Sequence, residues 1–551
     1  MARLWSRAKP RPSPDRAGGS AGTCLPMHAP LAKMSAPNTS AAARPWWAAA
    51  VALAVVLVAP LFVIDVPPLL DYPNHLARFF ILAHPDDPVL SKMYAPHWTI
   101  LPNLGMDLIG AGLLRITDAH TGGRILLGLC LLAPVAGAVI YHRAVFGGRS
   151  YWPLASGLVA YNAAFMMGFM NFQLSLGLAL VGAAAWTTLR QQDRSAWKAL
   201  AGAVAAVATF FTHIFGLALL LLLIGAEEAA GLWKRRAAGT VTLRDVIKAA
   251  IPLLIALAPA IVLYRLSPFG DTATTLGAWR AISKVMRLLS PFMTTNLNLT
   301  IVTAVAVTVA LVAMRRRIVL APGLPLVLAV LVIVFVAAPL RLKGGSFIDL
   351  RAALMFVLLL FPCVQPRIER REATTFGVVL AALIVARSAD LGATWIDARH
   401  DLADLRKAIA HVEPGARVMA ATGYTGEYAD AHPARRALPG IYRLTQQMPA
   451  LLLIERKAFW PLLYADPAQQ PVTVRPPYDR IAHPLTEPIG WSVLIHEPYS
   501  AESIYYARYL VDWRANFDYV LLIDPPPDVG KVDRLSPLHD GDFAKLYRID
   551  R

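Results

Sequence analysis

About eleven apolar stretches, each roughly 16–20 residues long, follow one another between Trp46 and Leu391. A hydrocarbon core of ~30 Å needs ~20 apolar residues in a helix. Helices are also the spanning form that satisfies every backbone group internally. The sequence therefore predicts an α-helical polytopic membrane protein, with spans at 46–64, 124–141, 150–168, 171–189, 196–212, 214–232, 249–266, 297–314, 320–339, 349–365 and 374–392.

Lysine and arginine concentrate on one side of these spans. The tail 1–45 carries seven basic residues against a single acidic one, Asp15. The connections that fall on the same side as the tail are basic too: 142–149, 190–198, 234–248, 315–317 and 367–371. Basic loops stay in the cytoplasm, so we expect a bacterial inner-membrane protein with a cytoplasmic N-terminus and a periplasmic C-terminal region. The net charge of +17 follows from these loops and is no sign of a nucleic-acid partner.

The chain divides into three predicted parts. Residues 1–45, rich in proline, serine and arginine, are expected to be a disordered tail. Residues 46–392 form the transmembrane domain, with a large first outer loop over 65–123. Residues 393–551 lack a long apolar run, and alternating patterns predict an extracytoplasmic α/β domain with a helix over 396–412 and strands at 416–421, 517–523 and 543–549.

Two shorter features refine this outline. The stretch 104–116 reaches only ~20 Å as a helix and contains Asp107 and Arg115, so it is predicted to be an interfacial helix. The three cysteines imply no disulfide framework. The spacing of cysteine and histidine predicts no metal site, and the C-terminal region has neither a glycine-rich phosphate loop nor a nucleophile elbow.

The first outer loop begins with an unusual polar cluster. Asp65, Asp71, His75 and Arg78 lie within fourteen residues of one another, directly after the first span. Prolines between them restrict the backbone, so a carboxylate can be held at a fixed height above the membrane. We expect Asp71 or Asp65 to be a catalytic base, with His75 beside it and Arg78 binding substrate. The alternative interpretation is a capped loop with a surface ion pair.

Other outer turns carry polar groups where these are expensive and tend to mark function. Asn171, His213, Lys343 and Arg351 are the substrate-binding candidates there. For His213 alone, a structural histidine at a helix end is the alternative.

An amphipathic helix is predicted over 276–292, in another outer loop. Its basic residues recur at helical spacing on one face, and apolar residues occupy the opposite face. Such a helix is typical of the membrane interface. Its charges are expected to bind either ordinary anionic lipid or a lipid-linked phosphate; they are Arg280, Lys284 and Arg287.

This layout resembles the GT-C class of membrane glycosyltransferases, which use sugars linked to polyprenyl phosphate. The resemblance covers about 46–551 and rests on the aspartate after the first span, the interfacial helices, about eleven spans and the outer C-terminal domain. It implies transfer of a sugar to a glycan, lipid or protein acceptor, with Asp65 or Asp71 as the base. The adjacent Asp-Glu pair of better-known members is missing from this loop, so a divalent cation stays open as a cofactor.

Two other classes fit a polytopic chain. A transporter or lipid flippase is the first, although no internal repeat is evident and the middles of the spans hold almost no charged residues. A non-catalytic envelope protein is the second.

Overall fold

Helices dominate the chain in the computed structural model. The structure describes residues 39–268, 281–339, 341–342, 345–423, 437–439, 443–484, 487–526, 528–530 and 532–551. The predicted tail 1–45 therefore lies almost entirely outside the described residues, and residues 46–551 form one compact unit. The helices are α1 (Thr39–Val58), α2 (Tyr72–Ala83), α3 (Gly105–Leu113), α4 (Ala119–Phe146), α5 (Ala163–Met166), α6 (Met170–Gln191), α7 (Ser195–Thr212), α8 (Ile214–Ala237), α9 (Leu243–Leu266), α10 (Ala281–Leu288), α11 (Leu297–Met314), α12 (Leu324–Ala337), α13 (Ile348–Leu359), α14 (Arg370–Ile409), α15 (Leu451–Glu455), α16 (Trp491–Ile495), α17 (Ala501–Tyr506) and α18 (Trp513–Asn516).

Eight helices among the described residues are long and apolar enough to cross a membrane. They are α1 with the 3₁₀ turn that extends it to Phe62, α4, α6, α7, α8, α9, α11 and α14. The prediction of an α-helical protein compatible with a membrane is confirmed at this level. Three predicted spans are not among the eight. The stretch 320–339 contains α12, of 14 residues, 349–365 overlaps the 12-residue α13, and 150–168 is not a continuous helix.

The segment 150–168 contains a 3₁₀ helix, Trp152–Val159, and then the single turn α5. Pro153 lacks an N–H group and Gly157 favours no helix. Asn162 then interrupts the chain, because its side chain donates to the main-chain oxygen of Val159 and caps α5 at Phe165 N (2.8 and 3.0 Å). Residues 155–168 are all buried. The apolar composition was therefore interpreted correctly as interior, but the helical prediction for this stretch was wrong.

Small residues let α4 and α6 approach closely. A methyl group at Gly177 would lie 2.5 Å from the main-chain carbon of Ala133, and one at Gly137 would lie 2.7 Å from the main-chain oxygen of Gly177. Backbone proximity of this kind is typical of helix pairs in membranes. It fixes α6, whose first turn lies beside the candidate site.

Helix α14 joins the predicted transmembrane and C-terminal parts without a break. Its 40 residues extend roughly 60 Å, through the boundary that the composition places at 392/393. The separately predicted span 374–392 and helix 396–412 are one element. Its last turns pack against the C-terminal sheet: the Asp404 carboxylate accepts hydrogen bonds from the main-chain N–H groups of Phe543 and Ala544 (2.8 and 3.0 Å).

Five strands form that sheet, in the order β10-β11-β9-β6-β8. The central pair β6–β9 is parallel and fully buried, while β9–β11 and β11–β10 are antiparallel. The predicted strands 416–421, 517–523 and 543–549 correspond to β6, β9 and β11 and are confirmed. The strands are β1 (Tyr94–Pro96), β2 (Ile318–Leu320), β3 (Arg341–Leu342), β4 (Gly345–Ser346), β5 (Val364–Pro366), β6 (Val418–Thr422), β7 (Val472–Val474), β8 (Ile489–Gly490), β9 (Tyr519–Ile523), β10 (Leu535–Asp540) and β11 (Ala544–Ile549).

The first loop and the C-terminal region are built together. Strand β1 of the loop pairs antiparallel with β7 of the C-terminal region, with Tyr94 opposite Val474. The helix predicted over 104–116 is α3, and it packs on α2. The candidate site lies where these pieces meet.

Candidate functional site

The backbone of Asp71 is held in place by the start of α2 and by hydrogen bonds to the segment 150–168. It precedes α2, and Pro73 fixes the second position of that helix. The amides of Leu70 and Asp71 donate to the main-chain oxygens of Met166 and Met167 (3.1 Å each). The chain leaving the first span is thus tied to the end of the buried segment 150–168.

Gly168 makes this contact possible. Its φ is +75°, and a methyl group there would lie 2.7 Å from Tyr72 N and 3.0 Å from Asp71 N. Both atoms are backbone and have no rotamer with which to avoid the clash. The position thus requires glycine for its left-handed conformation and for its close approach.

The Asp71 carboxylate is bonded to a residue of the C-terminal region. The Tyr464 hydroxyl donates to Asp71 Oδ1 (2.8 Å). Asn74 fixes the same segment, because it accepts from Tyr464 N (2.8 Å) and donates to Gln447 Oε1 and to the Leu462 main-chain oxygen (2.9 and 3.0 Å). No described residue donates to Asp71 Oδ2, so among the described residues this oxygen keeps its capacity to accept a hydrogen bond.

Asp71 and Tyr464 are half-buried, so both still touch solvent, although protein surrounds them closely. We call the immediate surroundings of the Asp71 carboxylate the Asp71 recess. Burial raises the pKa of Asp71 to about 7. The Tyr464 hydrogen bond and the nearby Arg351 act against that rise, and the Glu487 carboxylate adds to it. Asp71 is therefore an acid–base group that titrates near neutrality.

Arg351 is the cation of this recess. Its side chain is 7 % exposed, and its guanidinium lies against the rings of Phe169, Phe172 and Phe215, at 4.5, 5.6 and 5.3 Å from their centres. Nη1 donates to the main-chain oxygen of Ser346, and Nε has no partner among the described residues. Cation–π contacts stabilise such a group only partly, so Arg351 retains capacity to bind an anion.

Two histidines flank the recess as neutral rings. Burial and the neighbouring Arg78 lower the pKa of His75 well below its usual range; its ring lies edge-on to Tyr464, with centres 5.8 Å apart. Burial and Arg351 do the same for His213. His213 Nδ1 accepts from Phe215 N (3.1 Å) and caps α8, as the structural alternative anticipates.

Arg78 does not face an open site. Nε and Nη2 form a two-pronged pair with Asp107 on α3 (2.6 and 3.2 Å), and both side chains are almost fully buried. Asn171 is likewise engaged, since it accepts from Met106 N and donates to the Asn103 main-chain oxygen (2.9 and 2.7 Å). In this structure both residues position α2 and α3, and their substrate-binding role stays a prediction.

Asp65 lies apart from Asp71, in a surface network. Arg406 donates to it (2.9 Å), Arg124 lies 3.7 Å away, and its side chain is 47 % exposed. Arg406 also binds Glu455. The Arg406 hydrogen bond holds the pKa of Asp65 below its usual range, which makes it a weak base. Of the two predicted carboxylates, the geometry favours Asp71.

The charges of the basic helix face the protein interior. Among the described residues the helix is α10, Ala281–Leu288, and Lys284 and Arg287 point inwards to the fully buried Asp349 (3.0 and 2.6 Å). Val285 of the predicted lipid-facing side is 62 % exposed, as expected of an outward apolar residue. An unpaired buried carboxylate costs several kcal/mol, so Lys284 and Arg287 have a structural role at Asp349. Phosphate binding by these two residues stays a prediction. Arg280 and Lys343 lie outside the described residues.

Sequence reasoning missed Tyr464 and Glu487. Tyr464 is 393 positions away from Asp71, and no periodic pattern marks either residue. Among the described residues, no three His, Cys, Asp or Glu side chains come together as a metal site would require.

Comparison with known proteins adds no relative: no family model, no curated protein and no solved structure matches this chain.

The close approach at Gly168 is testable with a matched glycine. Gly147 also has positive φ (+73°), but nothing lies within 4 Å of a methyl group there. We expect Gly147→Ala to lose ~1–2 kcal/mol from the left-handed conformation. Gly168→Ala should lose clearly more, because the Asp71 backbone must move. Thermal unfolding of the two variants in detergent measures the difference; equal losses would show that the contact with Asp71 is unimportant.

Proposed function

We propose that this chain is a membrane glycosyltransferase that moves a sugar from a polyprenyl-phosphate donor to an extracytoplasmic acceptor at the Asp71 recess. One observation carries the proposal. A solvent-accessible carboxylate with a pKa of about 7 interacts electrostatically with a buried guanidinium that has an unpartnered Nε. A base and an anion-binding group in one recess are the two elements that this transfer needs.

Asp71 acts as the general base. As the acceptor oxygen forms its bond to the anomeric carbon, its proton passes to Asp71 Oδ2, the oxygen that Tyr464 leaves open. The bond from that carbon to the donor phosphate breaks, and its electron pair stays on the phosphate. A carboxylate with a pKa near the working pH suits this step. Asp65, with its lowered pKa, does not.

Arg351 receives the phosphate. A guanidinium matches phosphate oxygens in shape and charge, and a preorganised cation stabilises the charge that develops on the leaving group. Arg78 and Lys284 are already engaged with buried carboxylates. Arg351 is therefore the better candidate among the predicted cations that the structure describes.

The predicted topology gives the recess its surroundings. With eleven crossings, counting the segment 150–168, α12 and α13, the Asp71 end faces the periplasm of a bacterial inner membrane and the N-terminus stays in the cytoplasm. The polyprenyl chain then reaches Arg351 from the membrane. The acceptor approaches from the C-terminal region, which supplies Tyr464. This arrangement matches the resemblance to the GT-C class.

The transporter alternative has one observation in its favour, the interrupted helix over 150–168, because transporters often break helices at the substrate site. Here the Tyr161 carbonyl accepts a hydrogen bond from Arg387 Nη2 (2.7 Å), and residues 155–168 are buried. Protein groups hydrogen-bond and bury the interrupted part of the segment, which favours a structural role for it.

A substitution of Asp71 distinguishes the proposed enzyme from a transporter or a non-catalytic envelope protein. Asp71→Asn keeps the shape of the side chain and removes its basicity, so transfer should fall ~10²-fold or more. Asp65→Asn is the matched control and should retain activity. The measurement is the release of free polyprenyl phosphate from a panel of polyprenyl-phosphate-linked sugars with envelope extract as acceptor, followed by mass spectrometry. Full activity of Asp71→Asn would exclude the proposed mechanism.

The pH profile tests the role of Tyr464. Activity requires ionised Asp71, so kcat/KM should fall about tenfold per pH unit below pH about 7. The Tyr464 hydrogen bond stabilises the carboxylate and lowers its pKa, so Tyr464→Phe should raise that pKa. A hydrogen bond to a charged group contributes ~1.5–3 kcal/mol, which predicts an acid limb ~1–2 units higher. A purely structural tyrosine would lower activity at all pH values without moving the limb.

The proposed role of Arg351 predicts that the protein binds a prenyl phosphate more tightly than the corresponding alcohol. The purified protein should bind farnesyl phosphate much more tightly than farnesol, and Arg351→Gln should remove most of this preference. Arg351→Lys keeps the charge and loses the two-pronged geometry, so it should retain part of it. Equal binding of both probes by the wild type would move the phosphate site away from Arg351.

A further inference from the structure

A second cleft lies at the other end of the bundle, near the basic loops. Its volume is about 1010 Å³. One wall is α1, with Leu53 and Val56, the other is α14, with Leu380 and Ile384, and the 3₁₀ segment Trp152–Val159 forms the floor. The sugar-transfer site does not use this cleft, because Asp71 follows the opposite end of α1.

The charges of the cleft are all of one sign. Arg149 and Arg370 line its mouth, and both are exposed. Neither guanidinium has a hydrogen bond or ion pair with a described residue, and no carboxylate is among the described residues that line the cleft. Some basic residues at this end are paired, since Arg317 binds Glu372 and Lys198 binds Glu228. The side chains of others, such as Lys234 and Arg236, have no described partner either, but they do not line the cleft. Two unpaired guanidiniums at one end of an apolar cleft complement an amphiphile with an anionic head.

The dimensions fit one leaflet. From Arg370 to Val385 the cleft follows α14 for fifteen residue steps, or roughly 22 Å. Half of a hydrocarbon core is ~15 Å, and the headgroup region adds several ångströms. The neighbouring outward residues are apolar, Val51 and Val55 on α1 and Val379 on α14, so the cleft opens beside a surface suited to lipid chains.

We propose that this cleft binds an anionic glycerophospholipid of the leaflet on the basic-loop side. Arg149 and Arg370 hold the phosphate, and the acyl chains lie between α1 and α14. The chains cover the 3₁₀ floor near Gly157, where Leu53 and Ile384 already approach within 2.8 and 3.3 Å of a methyl position. The lipid thus completes the packing around the non-helical segment that leads to Asp71.

The test is thermal unfolding of the purified full chain in detergent with added phosphatidylglycerol or phosphatidylcholine. The wild type should gain a higher Tm from the anionic lipid and should retain phosphatidylglycerol through purification, as native mass spectrometry measures. The double variant Arg149→Gln/Arg370→Gln should lose at least half of that Tm gain and the retained lipid. The matched control Lys234→Gln/Arg236→Gln removes two exposed cations at the same end, away from the cleft, and should behave as the wild type.

A second variant tests whether lipid acyl chains occupy the apolar part of the cleft. Ala52→Phe/Ala381→Phe fills the cleft and keeps both arginines, so it should also lose the retained lipid. Three results would overturn the proposal: equal stabilisation by both lipids, an equal loss in the control, or retention of undecaprenyl phosphate in place of phosphatidylglycerol. The site acts independently of sugar transfer, so failure of either proposal leaves the other standing.

Discussion

A segment inside a helical bundle that does not form one continuous α-helix leaves backbone groups unpaired. These groups must find hydrogen-bond partners in neighbouring elements, because lipid supplies none. Residues 150–168, with a 3₁₀ helix and the single turn α5, are such a segment. Trp46 Nε1 donates to the Ser150 main-chain oxygen (2.8 Å), Arg387 donates to that of Tyr161, and the Ala163 amide donates to Ser290 (2.9 Å). These contacts join α1, α14 and the loop before α11. The last carbonyls of the segment, at Met166 and Met167, accept the amides of Leu70 and Asp71. The backbone position of Asp71 thus depends on the hydrogen bonds that this buried segment makes with its neighbours.

Three buried arginines differ in what their guanidinium groups contact. Arg78 is neutralised by Asp107, and Arg387 supports the Tyr161 carbonyl and lies near Asp390. Arg351 has aromatic rings on three sides, one described hydrogen bond to a main-chain oxygen, and an Nε without a described partner. A buried cation without a hydrogen-bonded carboxylate costs free energy. Arg78 and Arg387 hold neighbouring elements of the fold together, although Nη1 of Arg78 also has no described partner. For Arg351 we propose that an anionic ligand supplies the missing charge.

The sequence predicts which residues lie at the same end of the bundle better than it predicts the partners of each side chain. Asp71, His213 and Arg351 lie near enough to interact electrostatically. Each is at the same end of an apolar stretch, and counting the stretches predicts that shared end. The inward turn of Lys284 and Arg287 could not be predicted, because an amphipathic pattern specifies a charged face and not whether water or the buried Asp349 receives it. The 3₁₀ crossing was missed because apolar length does not distinguish helix types; Pro153 and Asn162 were the available signals. Tyr464 and Glu487 were beyond prediction, since their contacts with Asp71 arise from the docking of a distant segment.

That docking also controls the chemistry of the recess. Asn74, fully buried on α2, uses its amide oxygen and nitrogen to hold Tyr464 N, Gln447 and Leu462 in register, and Asp71 lies three residues before it. The carboxylate and the phenol are therefore positioned by the same helical turn. A shift of the C-terminal region would both open the recess and remove the hydrogen bond that limits the pKa of Asp71. In the proposed mechanism, binding of an acceptor against the C-terminal region is in this way coupled to the ionisation of Asp71, since a ligand that preserves the docked arrangement favours the ionised carboxylate.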